Sequence, residues 1–460
     1  MRLLRKILPL LLCAALLLGL CPASFAEGTG AFALELAVEG GDTAQVRAFH
    51  VEYGGNLYLS LADLSAALSG TPAQFRLDYS AVAGEGERFL ITTGQAAAAA
   101  PRAEYAASHA PVGLSLQRNR LFVNGAERRY YSYRPREQDL YLSLIDIQLI
   151  LDVTITRDGE ALHLWPERPF EPDPAELEAE GFFDSCNAVM LADAETGTVL
   201  FSRENRRPFP IASLSKLMTY LLIAEALEAG TIGRDDAVPV SAAAEALSRS
   251  ADGVVRLTAG RSVPLPELLQ AMLLASSNEC ALALAEYVAG SEEAFVARMN
   301  ERAAELGLSS ARFYSPHGLP IYGESAVPGK LQNQMSASDM FRLSRYLLAH
   351  YPGVTDITSQ RFGTMPTLSF TTANSNPLVF NMDGITGLKT GSTNRAGYCV
   401  VVSMPVSSGG ETHDLVLVLL GAETPTLRGQ AAEILLRWAR RQIEREGFPA
   451  PPAISLNIKA

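Results

Sequence analysis

Ile211-Ala212-Ser213-Leu214-Ser215-Lys216 opens the apolar run Leu217-Met218-Thr219-Tyr220-Leu221-Leu222-Ile223, and the rest of the chain is read outward from it. Pro210 before the run suits a helix start and Gly230 suits its end. On such a helix Ser213 and Lys216, three residues apart, share a face. A serine in the first turn lies near unpaired backbone N–H groups and the positive end of the helix dipole. A neutral lysine one turn on can take its proton, which makes an activated nucleophile. A Ser-x-x-Lys tetrad by itself fits a solvated helix start equally well. Lysine usage separates the two readings, because only five of the 38 basic residues are lysine, at positions 6, 216, 330, 389 and 459. Arginine, the cation used elsewhere, does not give up its proton to act as a base, whereas a buried lysine can.

With 460 residues the chain is expected to form two or three domains. A net charge of −12 argues against nucleic acid or an anionic membrane surface as partner. Arg2, Arg5 and Lys6, the apolar residues 7–20 and the small-x-small triplet Ser24-Phe25-Ala26 read as a secretory signal over residues 1–26. The chain is therefore expected outside the cytoplasmic membrane, in the cell envelope; an uncleaved anchor is the alternative reading of the same segment. Cys186, Cys280 and Cys399 remain after cleavage, an odd and widely spaced set that is no disulfide framework. The six histidines are scattered, and no metal site or cofactor is expected.

Residues 27–168 contain an internal repeat. Leu57-Tyr58-Leu59-Ser60-Leu61-Ala62-Asp63-Leu64 returns as Leu140-Tyr141-Leu142-Ser143-Leu144-Ile145-Asp146-Ile147. Each copy reads as a strand running into a short helix, followed by alternating strand-like residues at 88–92 and 161–165. Val123-Asn124-Gly125-Ala126 is a hairpin cue. The layout resembles the small α/β stalk module of copper amine oxidases, which implies a spacer on the bacterial envelope and, without a histidine cluster, no copper. The Pro- and Glu-rich residues 169–180 read as a linker, and 447–460 as a loose tail. Between them, residues 181–446 run as two strands, a helical middle, further strands and a closing amphipathic helix. That order is an α+β fold, an antiparallel sheet with an inserted helical subdomain.

Two more short motifs complete the chemistry: Ser276-Ser277-Asn278 after the apolar residues 268–274, and Gly387-Leu388-Lys389-Thr390-Gly391-Ser392. Ser-x-x-Lys, Ser-x-Asn and Lys-Thr-Gly in this order form the signature of penicillin-binding proteins and serine β-lactamases. Residues 185–446 resemble the low-molecular-mass D-alanyl-D-alanine carboxypeptidases more widely, through Ala289-Gly290-Ser291, Met299-Asn300, Pro316-His317-Gly318-Leu319 and Ala396-Gly397-Tyr398. The resemblance implies a β-lactamase/transpeptidase-like fold acting on peptidoglycan stem peptides ending in D-Ala-D-Ala, with β-lactams as covalent inhibitors. It implies Ser213 as nucleophile, Lys216 as general base, and Ser276 as proton carrier. Asn278 would hold the substrate backbone, and Gly391 would leave room for an extended peptide. Backbone N–H groups of Ser213 and Ser392 would form the oxyanion hole. Lys389, Thr390 and an arginine after the last strand, which falls on Arg428, would hold the terminal carboxylate; an ordinary solvated helix residue is the alternative for Arg428. Three departures from the family pattern are Ser215 in place of Thr, Glu279 in place of Asp, and Ser392 after Lys-Thr-Gly.

Three other functions share these motifs: a D,D-endopeptidase, a β-lactamase, and a catalytically dead envelope-binding protein. The common β-lactamase class needs a Glu-x-x-Leu-Asn loop, absent between Asn278 and Lys389. The intact reacting set argues against a dead protein.

Overall fold

A computed structural model describes residues 32–50, 57–82, 86–97, 120–133, 140–159, 161–321 and 331–450. The signal segment and residues 451–460 of the tail lie outside the described residues. The chain divides into two compact units, Met1–Asp184 and Ser185–Ala460.

The first unit is built from the repeat. Its strands are β1 (Phe32–Val38), β2 (Thr43–His50), β3 (Leu57–Ser60), β4 (Phe75–Val82), β5 (Gly86–Thr93), β6 (Leu121–Val123), β7 (Ala126–Arg128), β8 (Tyr141–Ser143), β9 (Thr154–Asp158) and β10 (Ala161–Trp165). In both copies the repeated Ser-Leu-x-Asp marks a helix start. Ser60 Oγ accepts the Asp63 N–H at 3.2 Å for helix Leu61–Ala67, and Ser143 Oγ accepts that of Asp146 at 3.1 Å for helix Leu144–Leu151. A serine cap with an acid in the first turn satisfies an orphan donor and complements the dipole. The hairpin cue turns β6 into β7, with Asn124 and Gly125 both at positive φ. The copies exchange ends: β1 pairs in parallel with β10, and β5 in parallel with β6. Neither sheet, β8-β3-β2-β1-β10-β9 or β4-β5-β6-β7, belongs to one copy alone.

Residues 169–180, expected as linker, carry the helix Pro174–Ala179 instead. Asp173 caps it by accepting the Ala175 N–H, Pro174 occupies the first turn, and Leu177 is buried. The Asp-Pro pair is a helix-start signal hidden by the Pro- and Glu-rich composition.

In the second unit five antiparallel strands run in the order Val199–Arg203, Ala188–Asp193, Glu411–Ala422, Gly397–Ser408, Gly387–Thr393. Both faces are buried, which explains the unbroken apolar runs at 188–192 and 415–420. Met190, Val401, Val416 and Val418 join the core of the inserted helices. Their alternates Val189, Leu191, Leu417 and Leu419 are buried too, and helix Pro425–Glu446 packs on the last two long strands. The strand Gly387–Thr393 is an edge strand and lies against the turn holding Ser213. Among the described residues no helix is long and apolar enough to cross a membrane.

Candidate active site

Ser213 sits in a tight 3₁₀ turn, Ala212–Ser215, and Lys216 is the first residue of the following helix, Lys216–Glu228. Ala212 is held at φ +47°, and Ser215 Oγ donates to its carbonyl at 2.6 Å. Lys216 is completely buried at one end of the apolar run. Its Nζ has three oxygen neighbours: Ser213 Oγ at 2.9 Å, Asn278 Oδ1 at 2.8 Å and the His317 carbonyl at 2.8 Å. Burial first, and then the charge of Lys389, hold the Lys216 amine well below its ordinary pKa, with Glu279 opposing. The two carbonyl oxygens can only accept. They take two N–H groups, and the third tetrahedral position of a neutral amine, its lone pair, faces Ser213 Oγ.

Helix Leu265–Leu274 ends just before Ser276, which adopts φ +63°. Ser277 caps the next helix, Asn278–Ala289, so Asn278 projects from its first turn. Its Nδ2 donates to the Asp252 carbonyl at 2.9 Å, which turns Oδ1 toward Lys216. Ser276 is half-buried and is not hydrogen-bonded to Ser213 or Lys216.

The third motif lies on the edge strand. Lys389 is buried, donates to the Thr390 carbonyl at 3.0 Å, and is pushed down to about 7 by burial and by the Arg428 guanidinium. Arg428 is only 5 % exposed, in the first turns of the closing helix with its guanidinium over the Tyr398 ring, so it is no solvated surface residue. Thr390 Oγ1 shares a 2.8 Å hydrogen bond with Ser375 Oγ. Ser392 is exposed. Gly391 faces the nucleophile turn. A Cβ there would lie 2.8 Å from Ser213 N and 3.2 Å from Ala212 Cβ and the Ile211 carbonyl. The missing side chain makes room for the nucleophile's own turn.

A family model described as D-alanyl-D-alanine carboxypeptidase matches residues 179–424. The chain belongs to the D-alanyl-D-alanine carboxypeptidase family. DacF of Bacillus subtilis, a D-alanyl-D-alanine carboxypeptidase, is 33% identical over 262 residues, which cover 56% of this chain and 63% of DacF. The match thus spans just under two thirds of that relative's length. A D-alanyl-D-alanine endopeptidase of Pseudomonas aeruginosa is 30% identical over 229 residues, 48% of this chain and 68% of that protein. The crystal structure of a peptidoglycan synthesis regulatory factor (PBP3) of Streptococcus pneumoniae superimposes with a TM-score of 0.51 at 30% identity, over 55% of this chain and 71% of that one.

Several residues that shape this family site carried no assigned role in the sequence. Pro316-His317-Gly318 forms a loop against the nucleophile turn, where a Cβ on Gly318 would lie 2.0 Å from the Ala212 carbonyl. Thr219 Oγ1 donates to the Pro316 carbonyl at 2.6 Å. Asn333 accepts from Tyr314 and Ser315, donates back to the Ser315 carbonyl at 2.8 Å, and its own carbonyl accepts the Ile211 N–H. Buried Glu279 accepts from the N–H groups of Val254 and Val255, close along the chain to Asp252. One of the scattered histidines, His413, lies with Asp193 and Glu195 at the opposite end of the sheet, its Nδ1 2.8 Å from Asp193 Oδ2. Those donors are already paired, since Glu195 also accepts the Asp414 N–H.

Proposed function

We propose that this chain is a serine-type D-alanyl-D-alanine carboxypeptidase of the cell envelope that trims peptidoglycan pentapeptide stems. The observation that carries it is Lys216 Nζ, its pKa held well down by burial and its nitrogen 2.9 Å from Ser213 Oγ. Ser213 Oγ attacks the penultimate D-Ala carbonyl as its proton passes to Lys216. The C–N bond then breaks and the departing D-Ala amine takes a proton relayed through Ser276. Water cleaves the resulting ester by the reverse proton path. General-base help of this kind contributes about 10²–10⁴ in rate. The Ser213 and Ser392 N–H groups receive the developing oxyanion. The substrate carboxylate meets Lys389, Thr390 and Arg428, and its negative charge draws Lys389 into the charged state. Asn278 holds the peptide backbone. β-Lactams acylate Ser213 by the same attack. Residues 1–26 direct export, and the N-terminal unit serves as an envelope spacer of the amine-oxidase stalk type.

Incubation of the protein with a pentapeptide ending in D-Ala-D-Ala should yield a product lighter by one alanine, and Ser213→Ala protein should yield none. Equal release by the two would remove Ser213 from the mechanism. A penicilloyl adduct lasting minutes or longer is expected; rapid clearance with repeated penicillin turnover would make the protein a β-lactamase. Cleavage of cross-linked dimers in preference to pentapeptide would favour endopeptidase action, the activity named for the Pseudomonas relative.

A further inference from the structure

The base is aimed by two oxygens, and one belongs to a loop residue whose side chain has no part in the steps above. The His317 ring is nevertheless built into the structure. It is buried, its Nδ1 accepts the Leu319 N–H at 3.1 Å, and its Nε2 lies 3.5 Å from Glu292 Oε1. An accepting Nδ1 leaves the ring proton on Nε2, facing the carboxylate, so one neutral tautomer serves both contacts. The neighbours in the loop are held as well: the Pro316 carbonyl by Thr219, and the Gly318 N–H by Ser315 Oγ at 3.0 Å. The Gly318 N–H lies in the same planar peptide group as the His317 carbonyl, so Ser315 and the ring hold that group from two sides, and it carries the carbonyl 2.8 Å from Lys216 Nζ.

We propose that the His317 imidazole is a positioning residue: strapped between the Leu319 N–H and Glu292, it holds its own carbonyl where it takes one Lys216 proton, and so aims the amine lone pair at Ser213 Oγ. The inference rests on Lys216 acting as the base. The charged groups facing the ring are Glu292, Lys216 and Asp252. Burial keeps the imidazole neutral, as the tautomer requires.

The test is acylation of the full chain by a fluorescent penicillin, with the non-covalent dissociation constant separated from the acylation rate constant across pH. His317→Ala should lower the acylation rate constant by about 10–100-fold, the usual effect of removing a group that orients a reacting one. The dissociation constant should stay within about twofold, because the reacting groups but not the binding groups are misaligned. The rising limb of the pH profile should move to higher pH, since water entering the vacated space resolvates Lys216. His317→Asn puts an amide oxygen near the Nδ1 position and should recover most of the rate. His317→Gln, which reaches toward Glu292 instead, should not. If the alanine protein fails to fold, the Asn and Gln pair together with Glu292→Gln gives the same comparison. Folded variants with wild-type acylation and an unmoved limb, or equal losses for Asn and Gln, overturn the proposal. A wild-type adduct that Ser213→Ala abolishes leaves the carboxypeptidase reading standing in that event. No adduct on the wild type removes both.

Discussion

Lys389 is a buried lysine whose folded-state pKa lies near 7, against about 10.4 for a free side chain. Between those values the unfolded chain binds a proton that the folded chain does not, so folding stability rises with pH across the window. Below about pH 7 both states are protonated and the burial penalty is felt in full. Denaturant midpoints measured at pH 7, 8 and 9 should climb for the wild type relative to Lys389→Met, which has no such group; parallel curves would show that the lysine keeps its charge in the folded protein. Lys216 moves in the same direction. That both lysines are set apart was legible from the chain alone, because it otherwise uses arginine, and the structure buries both. At Gly391 the chain alone tells less. A glycine in a strand shows that something comes close, and only the structure shows that the neighbour is the Ser213 amide.

At the scale of elements, Ser213, Lys216 and Asn278 were legible because helix geometry converts short spacings into shared faces and first-turn positions. The loops that hold them were not. Lys216 and His317 are 101 residues apart, and Asn333 bonds Ser315 across 18, with no periodicity to announce either contact. Asn333→Ala would leave the Ser315 carbonyl and the Tyr314 and Ser315 N–H groups without their partner. Each buried orphan costs about 1–3 kcal/mol. The variant should therefore unfold at lower temperature, by at least ~4 °C on the usual slope for a domain of this size, and acylate more slowly because the Ala212 turn loses its backing. An unchanged melting temperature would mean water replaces the side chain without loss. The short helix Pro174–Ala179 was missed for another reason, since composition pointed to a linker while the Asp173-Pro174 pair specified a start.

The whole molecule is two units, and every candidate site residue lies in the second. The family match begins at residue 179 and the compact unit at Ser185, whose carbonyl accepts the Glu423 N–H within the same unit. A protein beginning at Ser185 should fold and form the penicilloyl adduct at the full-length rate. Failure to fold would show that the first unit completes the second unit's core, and a slowed adduct that it acts on the site. The α+β order of the second unit was readable because outer strands, helical insert and return strands follow one another in the chain. The exchange of strands between repeat copies was not, because parallel pairing of β1 with β10 joins the two ends of the unit across more than a hundred residues.

That pairing has a mechanical side. Leu36, Ala37 and Val38 face Leu162, His163 and Leu164 on parallel neighbours, one entering the unit and the other leaving it. Tension applied between the front of β1 and the chain beyond β10 draws the two strands past each other lengthwise, so it loads their hydrogen bonds together rather than peeling them one at a time. Forced unfolding follows the barrier to the first rupture rather than the equilibrium stability. A unit clamped in this way resists a pull along the chain far better than its modest size suggests.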